Sequence, residues 1–205
     1  MRPCRAVLEA LRFGVPAGLC VLVLAGPVVV QAQDGRPGAV VTAGPRDGET
    51  APDFALPWAT VDSIGPEVAP FRLSHHRGKV VVLAFYPRDF TSGCTAEMRT
   101  FTREYDRIFG ADVVVVGISV DSLASHVRFA RSLGIPFRLL SDPDQTVAAR
   151  YGSRGTQGTA RRTVYVIDPE GRVAYRNLRF GAVDRQAYDR LAEAVRAARA
   201  RPAQH

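Results

Sequence analysis

Two continuous apolar runs dominate the hydrophobic pattern of the chain, KVVVLAFY (79–86) and DVVVVGIS (112–119). Both are rich in β-branched residues and show no alternation, which is typical of strands buried on both faces of a sheet. Three shorter apolar segments predict further strands, and the PEG turn between the last two predicts a hairpin. These segments are 137–140, 163–168 and 172–176.

The segments between and after these strands show helical periodicity. In the first of them, Met98, Phe101, Tyr105 and Ile108 recur at spacings of three and four, as on one face of a helix. The predicted helices cover 95–109, 122–133, 145–151 and 184–200. Because strands alternate with helices and end in a hairpin, the pattern predicts an α/β domain with a central mixed β-sheet flanked by helices.

The first 32 residues have the pattern of a secretory signal peptide. A basic start precedes the apolar stretch 14–30, and the small residue Ala32 offers a cleavage site. A retained membrane anchor over residues 13–32 is the alternative, although Gly and Pro interrupt this stretch. A lipoprotein at Cys20 fits less well, because Leu19 stands where that processing needs a small residue. The leader predicts an extracytoplasmic protein, either periplasmic or secreted.

The remaining chain is predicted to hold one domain. Residues 33–50 are rich in Gly and Pro without periodicity and are predicted to be a flexible lead-in, so the domain is expected over 51–205. The net charge is +7, but the basic residues are spread out, and no basic stripe with interleaved aromatics predicts nucleic-acid binding. The adjacent pair His75 and His76 is interpreted as a surface turn, and no metal or other cofactor is expected.

Cysteine usage narrows the chemistry. The chain has three cysteines, and cleavage of the leader would remove Cys4 and Cys20. Cys94 would then have no internal disulfide partner, so it is either a buried apolar residue or a reactive thiol. It follows the strand 79–86 at the start of a predicted helix, where unpaired amide N–H groups favour the thiolate.

The loop before Cys94 contains residues that suit a nucleophilic site. A compact turn would bring the hydroxyl of Thr91 near the sulfur, and Gly93 would allow close approach to the backbone. Alternatively, Thr91 caps the helix and Cys94 fills the core; from the spacing alone, both interpretations stay open. His126, on the helix predicted over 122–133, is interpreted as a packing or capping residue rather than a base.

A longer pattern resembles a known family. The spacing P-x-x-x-T-x-x-C in FYPRDFTSGCTAE (85–97), together with APDFALP (51–57), the segment 117–152 and RTVYVIDPEGRV (162–173), is similar to the peroxiredoxins. Within this alkyl hydroperoxide reductase/thiol-specific antioxidant family, the chain most resembles the Q-type, or bacterioferritin-comigratory, subgroup. The resemblance covers about 51–200 and implies a thioredoxin-like fold and a thiol peroxidase of hydrogen peroxide and organic hydroperoxides.

The resemblance also implies roles for five residues. Cys94 would be the peroxidatic cysteine, and Thr91 would hydrogen-bond the thiolate and the peroxide. Pro87 would shield the sulfur from water. Arg162 would be the distant active-site arginine, and Glu97 a supporting residue that holds an arginine. Adjacent strand residues point to opposite faces, so the neighbouring Arg161 is not expected at the same site.

Two departures from the subgroup lie in the loop before Cys94 and in the helix after it. Ser92 stands where the subgroup commonly has Pro, and Arg99 stands where many members carry a resolving cysteine. This implies a one-cysteine enzyme whose sulfenic acid is reduced by an external thiol, either a thioredoxin-like protein or a small thiol. A monomer or weak homodimer is expected. A thioredoxin-fold disulfide oxidoreductase, which would need C-x-x-C, and a non-catalytic binding module are the alternatives.

Overall fold

The computed structural model describes residues 43–200, so the predicted leader and anchor lie outside the described residues. The strands are β1 (Ala55–Leu56), β2 (Trp58–Ala59), β3 (Phe71–Arg72), β4 (Val81–Phe85), β5 (Val114–Ser119), β6 (Arg138–Ser141), β7 (Thr163–Ile167) and β8 (Val173–Asn177). The helices are α1 (Ser92–Arg103), α2 (Tyr105–Ile108), α3 (Leu123–Leu133), α4 (Thr146–Arg150) and α5 (Arg185–Ala200), with a 3-10 turn at Leu73–His76.

Six strands form one mixed sheet in the order β2-β6-β5-β4-β7-β8, and β1 pairs separately with β3. β4 runs parallel to β5, which is parallel to β6, whereas β7 runs antiparallel to β4. The carboxyl ends of β4, β5 and β6 therefore meet the amino end of β7 at one end of the sheet, called here the site end. The predicted α/β class with a central mixed sheet is confirmed.

Both faces of the sheet are buried, as the continuous apolar runs predict. Val82 and Ala84 of β4 pack in the cluster that contains the core residues of α1 and α5. Leu83 and Phe85 pack in the opposite cluster with Tyr151 and Tyr165. Gly117 of β5 leaves room for packing in the first of these clusters, because a Cβ atom there would lie 2.7 Å from Leu139 and 3.1 Å from Tyr86.

The helix predicted over 95–109 differs from the structure in both position and continuity. It begins at Ser92, because Thr91 adopts an extended conformation and serves as its N-cap. It ends at Arg103, and Glu104 leaves the helical region with φ −111° and ψ 23° before α2 begins. This break lets the short α2 pack against α5. Cys94 therefore lies inside the first turn of α1 rather than before it.

Residues ahead of the predicted domain start also contact the sheet. The amide of Gly48 donates to the carbonyl of Val173 at 2.7 Å, and Thr50 forms an isolated bridge with Arg172. This part of the predicted lead-in is thus hydrogen-bonded to the β8 region, while the boundary at residue 51 stays a prediction. Within residues 43–200, none of the helices combines the length and apolar character that a membrane span needs.

Candidate active site

Cys94 lies at the site end of the sheet, where the loop after β4 leads into the first turn of α1. Its side chain is fully buried, with 0% of its surface exposed. The first amides of a helix have no carbonyl partners within the helix, and together with the helix dipole they create a positive potential there. The thiol is therefore excluded from bulk water and lies in the positive potential of a helix start.

Arg162 contacts this sulfur from the other side. Its Nη2 donates to Cys94 Sγ at 3.4 Å, while its Nη1 donates to Glu97 Oε2. Arg162 directly precedes β7, and only 17% of its side-chain surface is exposed. The neighbouring Arg161 instead binds the carbonyl oxygen of Gly152. The structure thus brings Arg162, and not Arg161, to Cys94.

Glu97 holds the guanidinium from within the core. It lies one helical turn after Cys94 and is fully buried, and its Oε1 has no hydrogen-bond partner among residues 43–200. Burial raises the pKa of Glu97 from its ordinary 4.5 to about 7, although the charge and hydrogen bond of Arg162 act in the opposite direction. Burial also disfavours the charged form of Arg162, but Glu97 and the sulfur outweigh this effect, so the pKa of Arg162 is raised.

The other two predicted site residues lie in the loop between β4 and α1. Thr91 is exposed, and its hydroxyl donates to the carbonyl of Arg88 at 3.1 Å rather than to the sulfur. Its carbonyl accepts the amide of Thr95, as expected for an N-cap residue. Pro87 is half-buried directly after the buried Tyr86.

The histidine pair and Arg99 are the other positions that the sequence pattern singles out. His76 stacks on Phe71 with a ring-centroid distance of 4.6 Å. In the part of the chain that the structure describes, no group of three or more His, Cys, Asp or Glu residues is arranged to hold a metal ion. Arg99, at the position of the missing resolving cysteine, is exposed on α1.

Sequence reasoning missed the environment of Asp89, which lies between Pro87 and Thr91. Its carboxylate is buried and accepts hydrogen bonds from Tyr86 at 2.7 Å and Ser125 at 2.8 Å. An acidic residue in a polar loop is usually exposed, so the local pattern gives no signal that this one is enclosed.

The raised pKa of Glu97 predicts a specific pH dependence of stability. The folded chain keeps a proton that the unfolded chain releases above its ordinary pKa of 4.5. The stabilising contribution is therefore full below that pH and is lost as the pH rises through about 7. Between about pH 5 and about pH 8, we expect the free energy of unfolding of the wild type to fall by roughly 2–3 kcal/mol relative to Glu97→Gln, which cannot ionise.

Chemical denaturation at the two pH values measures this difference. Glu193→Gln, at an exposed position of α5, is the matched control and should keep the pH slope of the wild type. If Glu97→Gln also kept that slope, the carboxyl group of Glu97 would not be the group that titrates.

These features define a class of protein: a thioredoxin-like α/β domain with a buried thiol that is held between a helix start and an arginine. The relatives of the chain agree with this class. The model of the AhpC/TSA family matches residues 48–176, which is more than half of the chain, so the protein belongs to the AhpC/TSA family of peroxiredoxins. It is accordingly a thiol peroxidase enzyme.

Individual relatives cover most of the described domain. The chain is 37% identical over 131 residues to the peroxiredoxin bcp of Coxiella burnetii, which covers 60% of this chain and 82% of that protein. It is 40% identical over 130 residues to the chloroplastic peroxiredoxin Q of Triticum aestivum, which covers 62% of this chain and 57% of that protein.

Solved structures show the same fold. The crystal structure of the peroxidoxin BcpB from Mycobacterium tuberculosis has a TM-score of 0.64 and 32% identity, covering 77% of this chain and 99% of that chain. The reduced 2-Cys peroxiredoxin of Plasmodium vivax has a TM-score of 0.64 and 27% identity, covering 75% of this chain and 96% of that chain. The resemblance to the peroxiredoxins, including relatives of the Q type, is thereby confirmed.

Proposed function

We propose that this enzyme reduces hydrogen peroxide and organic hydroperoxides through Cys94 alone, and that an external thiol completes each cycle. One observation carries the proposal: Arg162 donates to the sulfur of Cys94 while Glu97 holds the same guanidinium. A fixed cation beside a buried thiol at a helix start stabilises the thiolate, which is the nucleophilic form.

The reaction follows from these contacts. The thiolate attacks one peroxide oxygen, a sulfur–oxygen bond forms, and the oxygen–oxygen bond breaks. The leaving oxygen departs with the electron pair and takes up a proton, giving water from hydrogen peroxide or an alcohol from an organic hydroperoxide. Arg162 and the free amides of the first turn stabilise the charge on this oxygen, since donors aimed at developing charge lower the barrier. Cys94 becomes a sulfenic acid.

Thr91 has a supporting role in this proposal. Because its hydroxyl hydrogen points to the carbonyl of Arg88, its oxygen keeps lone pairs that can accept a hydrogen bond from the incoming peroxide. Pro87 is proposed to limit access of water to the sulfur from the same loop.

The reductant must be supplied from outside the domain. The only other cysteines are Cys4 and Cys20, which belong to the predicted leader, and the position of a resolving thiol in α1 holds Arg99. A thiol of a thioredoxin-like protein or a small thiol is proposed to attack the sulfenic sulfur, release water and form a mixed disulfide. A second thiol then releases Cys94 by exchange. If the predicted leader directs export, this thiol is needed outside the cytoplasm.

Stopped-flow measurement on the 33–205 protein tests the proposal. In a fast first phase, reduced protein should consume one equivalent of hydrogen peroxide, and continued turnover should begin when dithiothreitol, glutathione or a thioredoxin is added. Cys94→Ser provides the background rate. Turnover without any added thiol would contradict the one-cysteine mechanism, and a wild-type rate equal to that of Cys94→Ser would leave the binding-module alternative standing.

Gly93 sets the distance between the helix and Arg162. A Cβ atom at this position would lie 3.1 Å from Arg162 Nη2, which is tight enough that the guanidinium must move by a few tenths of an ångström. Glu97 limits how far the guanidinium can yield, so Gly93→Ala should displace Nη2 from the sulfur. We expect the peroxide rate to fall by about tenfold, whereas stability should hold or rise because Ala favours helix more than Gly does.

Stopped-flow oxidation and thermal unfolding check the two halves of this prediction. Ser92→Ala is the control, because it changes a neighbouring exposed residue in the same helical turn. An unchanged rate in Gly93→Ala would show that the guanidinium can adjust without cost.

A further inference from the structure

The loop between β4 and α1 is tied to the rest of the molecule at Asp89. The carboxylate of Asp89 and the ring of His126 are both fully buried, with 0% of either side chain exposed. Their closest atoms, Oδ2 of Asp89 and Nδ1 of His126, are 3.0 Å apart. His126 lies on α3, so this contact joins the loop to a helix that follows the next strand.

The hydrogens available on His126 and Asp89 indicate that this contact is a hydrogen bond. Nε2 of His126 lies 3.2 Å from the carbonyl oxygen of Leu140, which can only accept, so Nε2 carries a hydrogen. Nδ1 and Asp89 Oδ2 then share one further proton, either as a charged pair or as a neutral pair. In both forms the two side chains carry no net charge, which suits their burial.

Further bonds hold the same residue. Tyr86 donates to Asp89 Oδ1, Ser125 donates to Oδ2 at 2.8 Å, and the amide of Asp89 donates to Asp121 Oδ2 at 2.8 Å. Burial, with Asp89 beside it, raises the pKa of Tyr86, so its hydroxyl remains a donor. Asp89 is thus fixed to the end of β4, to α3, and to the segment after β5.

The next residue shows that the loop conformation is imposed by its surroundings. Phe90 has φ of +60°, a left-handed conformation that a bulky residue adopts only when the structure around it requires it. Phe90 is 54% exposed, yet the centroid of its ring lies 5.1 Å from that of Phe129 on α3. Thr91, the N-cap of the helix that carries Cys94, follows directly. A release at Asp89 would let Phe90 relax and would shift the first turn of α1.

We infer that Asp89, held by His126, Ser125 and Tyr86, is a positioning residue that keeps Cys94 buried and aligned with Arg162. The inference rests on the proposed role of Cys94 for its peroxide readout, but not for its accessibility readout. Asp89 touches neither the sulfur nor Arg162 in the structure, so its effect passes through the loop.

Two opposite changes in the reactivity of Cys94 test this assignment. In Asp89→Ala, the rate of Cys94 oxidation by hydrogen peroxide should fall by about 10- to 100-fold, because small misplacements of a reacting group are costly. The rate of alkylation by a bulky maleimide should rise by about tenfold or more, because local opening exposes the sulfur. Asp89→Asn can accept from Tyr86 and donate to the neutral imidazole, so it should restore both rates to within about threefold of the wild type.

Asp168→Ala is the matched control for loss of a buried carboxylate. Asp168 is 4% exposed and accepts the amide of Arg172 at 2.8 Å, at the opposite end of the sheet from Cys94. Loss of this carboxylate should lower the melting temperature, but it should neither slow the oxidation of Cys94 by peroxide nor speed its alkylation. Ser125→Ala removes one bond to Asp89 and should give the same two changes at smaller size, which covers the case in which Asp89→Ala does not fold.

The outcomes separate the inference from the proposed function. The positioning role would be overturned if the rates of oxidation and alkylation of Cys94 fell together or did not change. It would also be overturned if Asp168→Ala showed the same pattern as Asp89→Ala, or if Asp89→Asn did not restore the two rates. If wild-type protein were not oxidised by peroxide at all, the proposed function would fail. The alkylation rates would still decide whether Asp89 keeps Cys94 buried.

Discussion

Arg162→Ala is expected to slow the oxidation of Cys94 by hydrogen peroxide by about 10²- to 10³-fold, the usual loss when one donor to developing charge is removed. Arg162 supplies the only side-chain hydrogen bond to the sulfur among the described residues, at 3.4 Å. In the proposed reaction, the same group also faces the oxygen on which charge develops as the oxygen–oxygen bond breaks. Its loss therefore affects both the nucleophile and the leaving group.

Arg162→Ala should also have a lower free energy of unfolding than the wild type, and the size of this loss should depend on the charge of Glu97. Without the guanidinium, Glu97 would be a fully buried carboxyl group with no cation beside it. Removing one partner of a buried ion pair costs about 3–5 kcal/mol when the other group stays charged. The loss should be smaller at low pH, where Glu97 is neutral in the folded protein.

Arg161→Ala is the control for Arg162→Ala, because Arg161 binds the carbonyl oxygen of Gly152 and not the sulfur. Stopped-flow oxidation should show a rate close to that of the wild type for this variant. Equal losses in the two variants, or a larger loss in Arg161→Ala, would mean that the proposed assignment of Arg162 is wrong.

Excess peroxide in the absence of thiol is expected to inactivate the 33–205 protein completely. This form contains Cys94 alone, so no second thiol of the same chain can trap the sulfenic acid as an internal disulfide. A second peroxide molecule then oxidises it to sulfinic acid, which thiols do not reduce. Intact mass spectrometry should show the chain gaining the mass of two oxygen atoms, in step with the loss of activity.

A thiol added before the peroxide should protect the enzyme. In its presence a mixed disulfide at Cys94 should replace the sulfinic acid, and activity should return after excess dithiothreitol. Cys94→Ser should gain no oxygen at matched peroxide doses, which controls for oxidation of methionine. A disulfide-linked dimer as the main product would instead indicate that Cys94 of one chain resolves Cys94 of another.

The amino-acid sequence determined the features that depend on neighbours along the chain. Continuous apolar runs predicted β4 and β5, because strands buried on both faces have no polar side to alternate with. The loop pattern ending in Cys94 predicted a thiol at a helix start. The helix boundary was less well predicted: Ser92 and Gly93 are poor helix formers, but they are tolerated in the first turn, where the N-cap conformation of Thr91 decides the start.

Only the tertiary structure decided which distant groups complete the site. Arg162 reaches a cysteine 68 residues away because β4 and β7 are antiparallel neighbours in which Phe85 pairs with Thr163. That register places the residue before β7 beside the loop that follows β4. The burial of Asp89 against His126, 37 residues later, depends in the same way on how α3 packs against the loop. Local patterns carry no information about such contacts, because strand order and register are set by the packing of the whole core.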